Sequence, residues 1–167
     1  IKKKLGFINK NTLNEDFGYF NQNLLNPEKD KYIIGHFHSE KYFSNVRETL
    51  LGNFIIKKEK SNYLYMIKEK IESSKISCSI HVRRGDFINK KNIDINGACS
   101  LDYYLKSIEI MKSKYQNISF FIFSDDMIWV KKNLNIENAT YVEDEFDRLP
   151  HEDIYLMSLC CHNIIAN

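Results

Sequence analysis

The sequence predicts an α/β fold, a parallel sheet with crossover helices, over residues 76–167. Three observations carry this. Short apolar runs of strand type recur along the segment, stretches with apolar residues at helical spacing separate them, and capping or turn residues stand at the junctions. Strands that alternate with helices of about 10 to 15 residues pair in parallel, because a crossover helix is what returns the chain to the same edge of a sheet.

Each element has its own reason. "KISCSIHV" alternates Cys78, Ile80 and Val82, as a strand does. "LDYYLKSIEIMKSKY" places Leu101, Tyr104, Leu105, Ile108 and Met111 at helical spacing. "ISFFIF" is a continuous apolar run of the kind that is covered on both faces. After it come Ser124, Asp125 and Asp126, suited to a helix N-terminus, and the helix "MIWVKKNL". "ATYVED" is a third strand. "LPHEDIYLMSLCCH" is a helix with Pro150 near its first turn and Glu152 and Asp153 where the helix dipole favours anions; "NIIAN" closes the series as a strand. This half reads as Rossmann-like. Residues 1–75 read as a separate, mostly helical region: a strand and loop in "KYIIGHFHS", a helix in "EKYFSNVRETLLG" ended by Gly52, and a helix in "SNYLYMIKEKIESS" opened by Ser61 or Asn62.

Composition narrows the function classes. The chain is 43% hydrophobic and 28% charged with a net charge of +2, which gives no electrostatic footprint for nucleic acid. The lysine runs Lys2 to Lys4, Lys57-Lys58, Lys90-Lys91 and Lys131-Lys132 are dispersed and read as solvated surface. Of 24 basic residues only Arg47, Arg83, Arg84 and Arg148 are arginine, so half of them sit side by side. A chain that otherwise uses lysine places two planar, multi-donor forks together where it needs that geometry, and diphosphate is the natural ligand. Cys78, Cys99, Cys160 and Cys161 lack metal-ligand spacing and read as small buried hydrophobes in a reducing compartment. Asn117 and Asn138 begin short glycosylation-type tripeptides, a pattern that chance supplies often. The chain opens at Ile1 and stops on an apolar strand, so it reads as a piece of a longer protein.

Ligands of open parallel sheets collect beyond the carboxyl ends of the strands. Two polar clusters fall there: His81, Arg83, Arg84 and Asp86 after "SCSIHV", and Ser124, Asp125 and Asp126 after "FFIF". Together they fit a nucleotide site, the first bringing charge for phosphates and the second carboxylates and a helix N-terminus. Each has a plainer reading. Asp86 could form a surface ion pair with either arginine, and Ser124 to Asp126 could be nothing more than a helix cap. No Gly-rich phosphate loop of either familiar type is present. His36 and His38 share a side of an extended chain but have no third ligand nearby in sequence, so "GHFHS" reads as a polar loop rather than a zinc site. His151, His162, Tyr63, Tyr65, Tyr103 and Tyr104 read as capping and packing residues.

"HVRRGDF" resembles the HxRRxD motif of alpha-1,2-, alpha-1,6- and protein O-fucosyltransferases. With "GHFHSEKYF", "GACSLDYY", "FIFSDDMIWVKKNL" and "DIYLMSLCCHNIIAN" in the same order and spacing, residues 31–167 are similar to the bacterial alpha-1,2-fucosyltransferases of glycosyltransferase family 11. The resemblance implies a GT-B-like fold with residues 1–75 on the acceptor side and 76–167 on the donor side. It implies an inverting enzyme that needs no metal or other cofactor and moves L-fucose from GDP-beta-L-fucose to the 2-hydroxyl of a terminal galactose in a glycan. Arg83 would hold the beta-phosphate and Arg84 would support donor binding; His81, Asp125 and Asp126 would lie around guanine and ribose, with Ser124 a further donor-binding residue and Asp153 and Ser158 near the donor pocket. Asp86 is a candidate base that could equally orient an arginine. The implied location is the bacterial cytoplasm, with peripheral association at the inner face of the membrane. A Gly-rich N-terminal segment of the family pattern is absent, as is a continuation after Asn167, so the 167 residues alone are expected to be inactive. Two rivals stand beside this: an alpha-1,6-type enzyme sharing HxRRxD, and a non-catalytic nucleotide- or glycan-binding module.

Overall fold

A computed structural model of the chain describes residues 11–16, 19–55, 62–86, 88, 97–143 and 150–166. Lys2 to Lys4, Lys57-Lys58, Ser61, Lys90-Lys91, Asp144 and Arg148, all used in the sequence reading, lie outside the described residues. The chain divides into two compact units, Ile1–Ile55 and Ile56–Asn167.

In the first unit, β1 (Thr12–Asn14) pairs in parallel with β2 (Tyr32–Ile34). The expected helix over 40–52 is two 3-10 turns, Glu40–Tyr42 and Ser44–Val46, and a short α1 (Arg47–Asn53). Phe43 and Val46, with φ of −121° and −117°, break the helical path, and Gly52 lies inside α1 rather than ending it. Tyr42 is buried, with the rings of Phe20 and Phe37 at 4.8 and 5.3 Å.

The second unit is α2 (Asn62–Ser73), β3 (Ser77–Val82), α3 (Leu101–Lys114), β4 (Ser119–Ser124), α4 (Met127–Asn133), β5 (Ala139–Tyr141), α5 (Pro150–Leu159) and β6 (His162–Ile164). Its strands are all parallel in the order β5-β4-β3-β6. The chain therefore steps outward from β3 through β4 to β5, then crosses back to place β6 on the other side of β3. That is the first half of the Rossmann order, with its reversal point between β3 and β6.

Side-chain alternation explains why "SFFIF" needs no polar residues. Phe120 and Ile122 join Cys78, Ile80 and Val82 beneath Tyr104 and Ile108 of α3 and Val130 of α4. Phe121 and Phe123 point the other way, onto Leu64, Ile67 and Ile71 of α2, Leu156 of α5 and Cys160 just after it. β4 is thus covered on both faces, and each of its fully buried phenylalanines contributes about 1.5 to 3 kcal/mol of burial. The same packing moves a boundary. The i, i+3, i+7 stripe of α2 buries onto β4 and α5, so this helix belongs to the sheet unit and the division falls at 55/56 rather than 75/76. Asn117 and Asn138, the asparagines of the two tripeptides, have φ of 59° and turn the chain ahead of β4 and β5. The four cysteines are free thiols. Among the described residues no helix is long and apolar enough to cross a membrane.

Candidate functional site

β3 and β4 end in register, Val82 opposite Ser124. The Ser124 hydroxyl donates to the Val82 carbonyl at 2.8 Å and accepts from the Asp126 N–H at 2.9 Å, which ties the two strand ends together. One residue on, the Asp125 carboxylate reaches across to the turn after β3. It accepts from the Arg84 N–H at 2.8 Å and the Gly85 N–H at 3.1 Å, and from Arg83 Nε at 3.3 Å. Strand ends leave backbone donors without ladder partners, and this one carboxylate satisfies two of them. A Cβ at Gly85 would lie 2.8 Å from Asp125 Oδ2, so only glycine lets the turn come this close.

Asp126 divides its carboxylate between two tasks. Oδ1 accepts from the Trp129 N–H at 3.0 Å and caps α4; Oδ2 holds Arg84 Nε at 3.3 Å. The Arg84 guanidinium also sits 4.0 Å from the centre of the Trp129 ring, a cation–π stack. Arg84 is therefore an anchored side chain, 20% exposed. Arg83 is the presented one, 41% exposed, its Nη2 on Asp86 Oδ1 at 2.8 Å and its Nε on Asp125. The plainer readings of both clusters thus hold as geometry: Asp86 does pair with Arg83, and Asp126 does cap a helix. They do not exhaust the site, because together they leave Arg83 the more exposed of the two guanidiniums at the carboxyl edge.

His81 is half-buried near the same end of β3. Burial pushes its imidazole below the ordinary value; Asp125 and Asp153 oppose this and Arg83 reinforces it. Asp153 is thereby within electrostatic reach of the corner. Ser158 is not brought there. It lies five residues further along α5, about 7.5 Å at the helical rise, and its hydroxyl donates to the Tyr155 carbonyl. α5 runs antiparallel to the strands and ends beside their amino edge, where the Cys161 N–H donates to Ser77 Oγ. The residues that sequence reasoning missed are Trp129, Gly85 and, in the first unit, Glu15.

Two shallow grooves flank α2, one along Tyr65, Met66, Glu69 and Ser73 and one between α2 and the end of β5. Neither contains a residue of the Arg83–Asp126 corner, which its chemistry marks. No group of three His, Cys, Asp or Glu side chains among the described residues converges as metal ligands do.

Residues 11–167 match the model of glycosyl transferase family 11. The chain is 32% identical over 147 residues to an alpha-1,2-colitosyltransferase of Escherichia coli, covering 81% of this chain and 47% of that protein. It is 28% identical over 170 residues to the O-antigen biosynthesis glycosyltransferase WbnK of Escherichia coli, covering 96% and 55%. To galactoside alpha-(1,2)-fucosyltransferase 2 of Rattus norvegicus it is 22% identical over 153 residues, 83% and 43% of the two chains. The chain spans about half the length of the curated relatives it matches. No solved structure matches it.

Proposed function

The chain belongs to glycosyl transferase family 11, and from that premise we propose that it supplies the donor site of an inverting enzyme that moves L-fucose from GDP-beta-L-fucose to the 2-hydroxyl of a terminal galactose. The observation that carries this is the divided arginine pair at the carboxyl end of β3: Arg84 locked by Asp126 and Trp129, Arg83 presented beside it. Departure of GDP gathers negative charge on the beta-phosphate, and a guanidinium already fixed in place stabilises that charge without reorganising. In this reading the part a divalent cation plays elsewhere falls to Arg83.

The exposed Arg83–Asp86 pair makes room for the ligand. An ion pair of this exposure contributes about 0 to 1 kcal/mol, so a diphosphate displaces Asp86 at small cost, whereas Asp125 stays bound through the turn's N–H groups. The bond from the fucosyl anomeric carbon to the phosphate oxygen breaks with its electrons passing to GDP. The galactose hydroxyl oxygen attacks the opposite face, and its proton passes to a base. Asp86, released from Arg83 by the incoming phosphate, is the carboxylate that becomes available for it. The setting we propose is the bacterial cytoplasm beside the inner membrane surface, where nucleotide sugars and glycan acceptors meet; the fold is GT-B-like.

One relative favours a second reading of the donor sugar, since it is named for colitose. Colitose is fucose without its 3-hydroxyl, so the choice between them rests on whether the site hydrogen-bonds that group. The protein from the open reading frame that contains these residues, given GDP-fucose and lactose, should yield a 2-linked fucosyl product, and should lose GDP binding in Arg83→Ala. A 6-linked product, preference for a colitosyl donor, or GDP affinity untouched by Arg83→Ala would each overturn the corresponding part.

A further inference from the structure

Tyr104 is fully buried, and its hydroxyl makes no hydrogen bond. A hydroxyl taken out of water without a partner is costly, so an orphan of this kind needs a reason. Its place in the fold points to one. Tyr104 stands in the first turn of α3, the helix that follows β3, and its ring packs in the cluster that holds Ile80 and Val82 of that strand. Its neighbour Tyr103 donates a hydroxyl to the Ile165 carbonyl at 2.9 Å, just past the end of β6. Ser100 caps the same turn, its Oγ accepting from the Tyr103 N–H at 3.1 Å. The first turn of α3 therefore lies at the carboxyl ends of β3 and β6, the neighbouring strands between which the sheet order reverses. The Cys99 thiol and the Arg83 main chain both act on the Tyr104 hydroxyl, and both residues are partly exposed. The hydroxyl thus stands where the core gives way to the turn that carries Arg83.

We propose that the Tyr104 hydroxyl is a further donor-binding group, giving its hydrogen bond to the diphosphate of the nucleotide sugar beside the Arg83 guanidinium. The proposal rests on the transfer reading above and adds to it a neutral donor that the reading does not use. The chemistry of the group selects its partner. Burial pushes the phenol's ionisation up, the Cys99 thiol adds to the rise and the Arg83 main chain opposes it, so the hydroxyl keeps its proton near neutral pH. A held proton calls for an acceptor, and an anionic oxygen is the acceptor to which an O–H group bonds most strongly. The carboxylates of the corner are engaged elsewhere, Asp125 by the Arg84 and Gly85 N–H groups and Asp126 by the Trp129 N–H and Arg84. The N-terminus of α3 biases the same spot toward negative charge, since the peptide dipoles of a helix favour an anion at that end. Arg83 shares its charge with Asp86 and Asp125, whereas the Tyr104 proton is shared with no other group. As the bond to the sugar breaks and charge gathers on the leaving phosphate, a donor held by its packed ring strengthens its bond without reorganising.

The test titrates GDP and guanosine into the protein from the open reading frame that contains these residues, as wild type, Tyr104→Phe and Arg83→Ala, and measures the melting temperature of each. Tyr104→Phe keeps the ring and removes only the oxygen. It should weaken GDP by about 10- to 100-fold, the loss expected of one hydrogen bond to a charged acceptor, and leave guanosine, which has no phosphate, bound as in wild type. Its melting temperature should stay level or rise, because no hydrogen bond within the protein is lost with the oxygen. A hydroxyl that serves only the fold would behave in the opposite way. A lower melting temperature with unchanged GDP affinity, or a loss that falls equally on guanosine, overturns the proposal. Weaker GDP in Arg83→Ala alongside wild-type affinity in Tyr104→Phe sinks this inference alone; wild-type affinity in both variants, or no GDP binding by the wild type, removes the transfer reading with it.

Discussion

Asp125 and Asp86 both contact Arg83, and the structure predicts opposite effects for removing their charges. Asp125→Asn keeps one acceptor oxygen. If that oxygen takes the Oδ2 position, the Arg84 N–H loses its partner; if it takes Oδ1, Gly85 N–H and Arg83 Nε both do. The better alternative forfeits one hydrogen bond to a charged acceptor, worth about 1.5 to 3 kcal/mol. With the side chain about a quarter exposed, about 1 to 2 kcal/mol of the turn's order is lost, equivalent to about 5- to 30-fold weaker GDP. Asp86→Asn instead removes a competitor for Arg83 whose exposed pairing is worth about 0 to 1 kcal/mol, so GDP should bind up to about fivefold more tightly. Calorimetric titration of GDP into wild type and the two variants reads both effects. If Asp125→Asn binds GDP as wild type does, the clamp does not position Arg83; if Asp86→Asn weakens GDP, Asp86 belongs to the ligand's contacts and is not displaced by it.

Arg84→Lys keeps the charge but loses the planar stack on Trp129 and the Nε contact with Asp126, at about 1 kcal/mol; the melting temperature should fall by about 2 to 5 °C, while Arg83→Lys should leave melting unchanged and weaken GDP. His81, depressed mainly by burial, costs no stability above its unfolded value of 6.5. As pH falls below that value the unfolded chain takes up a proton that the folded chain resists, so urea midpoints should drop, and drop less in His81→Asn. Cys161 is exposed, its thiol held below the ordinary value by the Ser77 main chain and hydroxyl, whereas burial pushes Cys78 up to about 11 and Cys160 up to about 12. Mass spectrometry after brief iodoacetamide treatment near neutral pH should find Cys161 labelled ahead of both, and Cys78 and Cys160 only after unfolding.

The sheet unit was legible because its signals are local and agree with one another. A doubly covered strand such as 119–124 has to be apolar throughout, and the apolar spacing in 101–114 has no other use. The first unit was not, because its order depends on contacts that spacing does not encode: the 3-10 turns around Tyr42 form where Phe20 and Phe37 meet its ring. For the site, the carboxyl-end rule found the two clusters but not the division of labour within them. Which arginine is anchored depends on the Val82–Ser124 register and on Trp129, more than 40 residues away. Ser158 illustrates a rule that could have been applied from sequence. A crossover helix enters at the carboxyl edge of the sheet and leaves at the amino edge, so Asp153 in its first turn approaches the site and Ser158 near its end recedes.

The clamp that Asp125 makes after β3 recurs after β2, where Glu15 Oε2 accepts from the His36 N–H at 2.8 Å and the Phe37 N–H at 2.7 Å, and the recurrence has a physical origin. In a parallel pair the first residues beyond both strands emerge at the same edge, so a carboxylate just past one strand meets the orphaned N–H groups just past its neighbour. A main-chain carbonyl could satisfy one of those donors. A carboxylate satisfies two, and its charge makes each bond stronger, but only if the turn comes close enough to exclude a Cβ, which is why glycine stands at 35 and 85. The turn is then held by a carboxylate that the neighbouring strand supplies. What distinguishes the two turns is the polar residues near the glycine, His36 and His38 after Gly35 and Arg83 and Arg84 before Gly85.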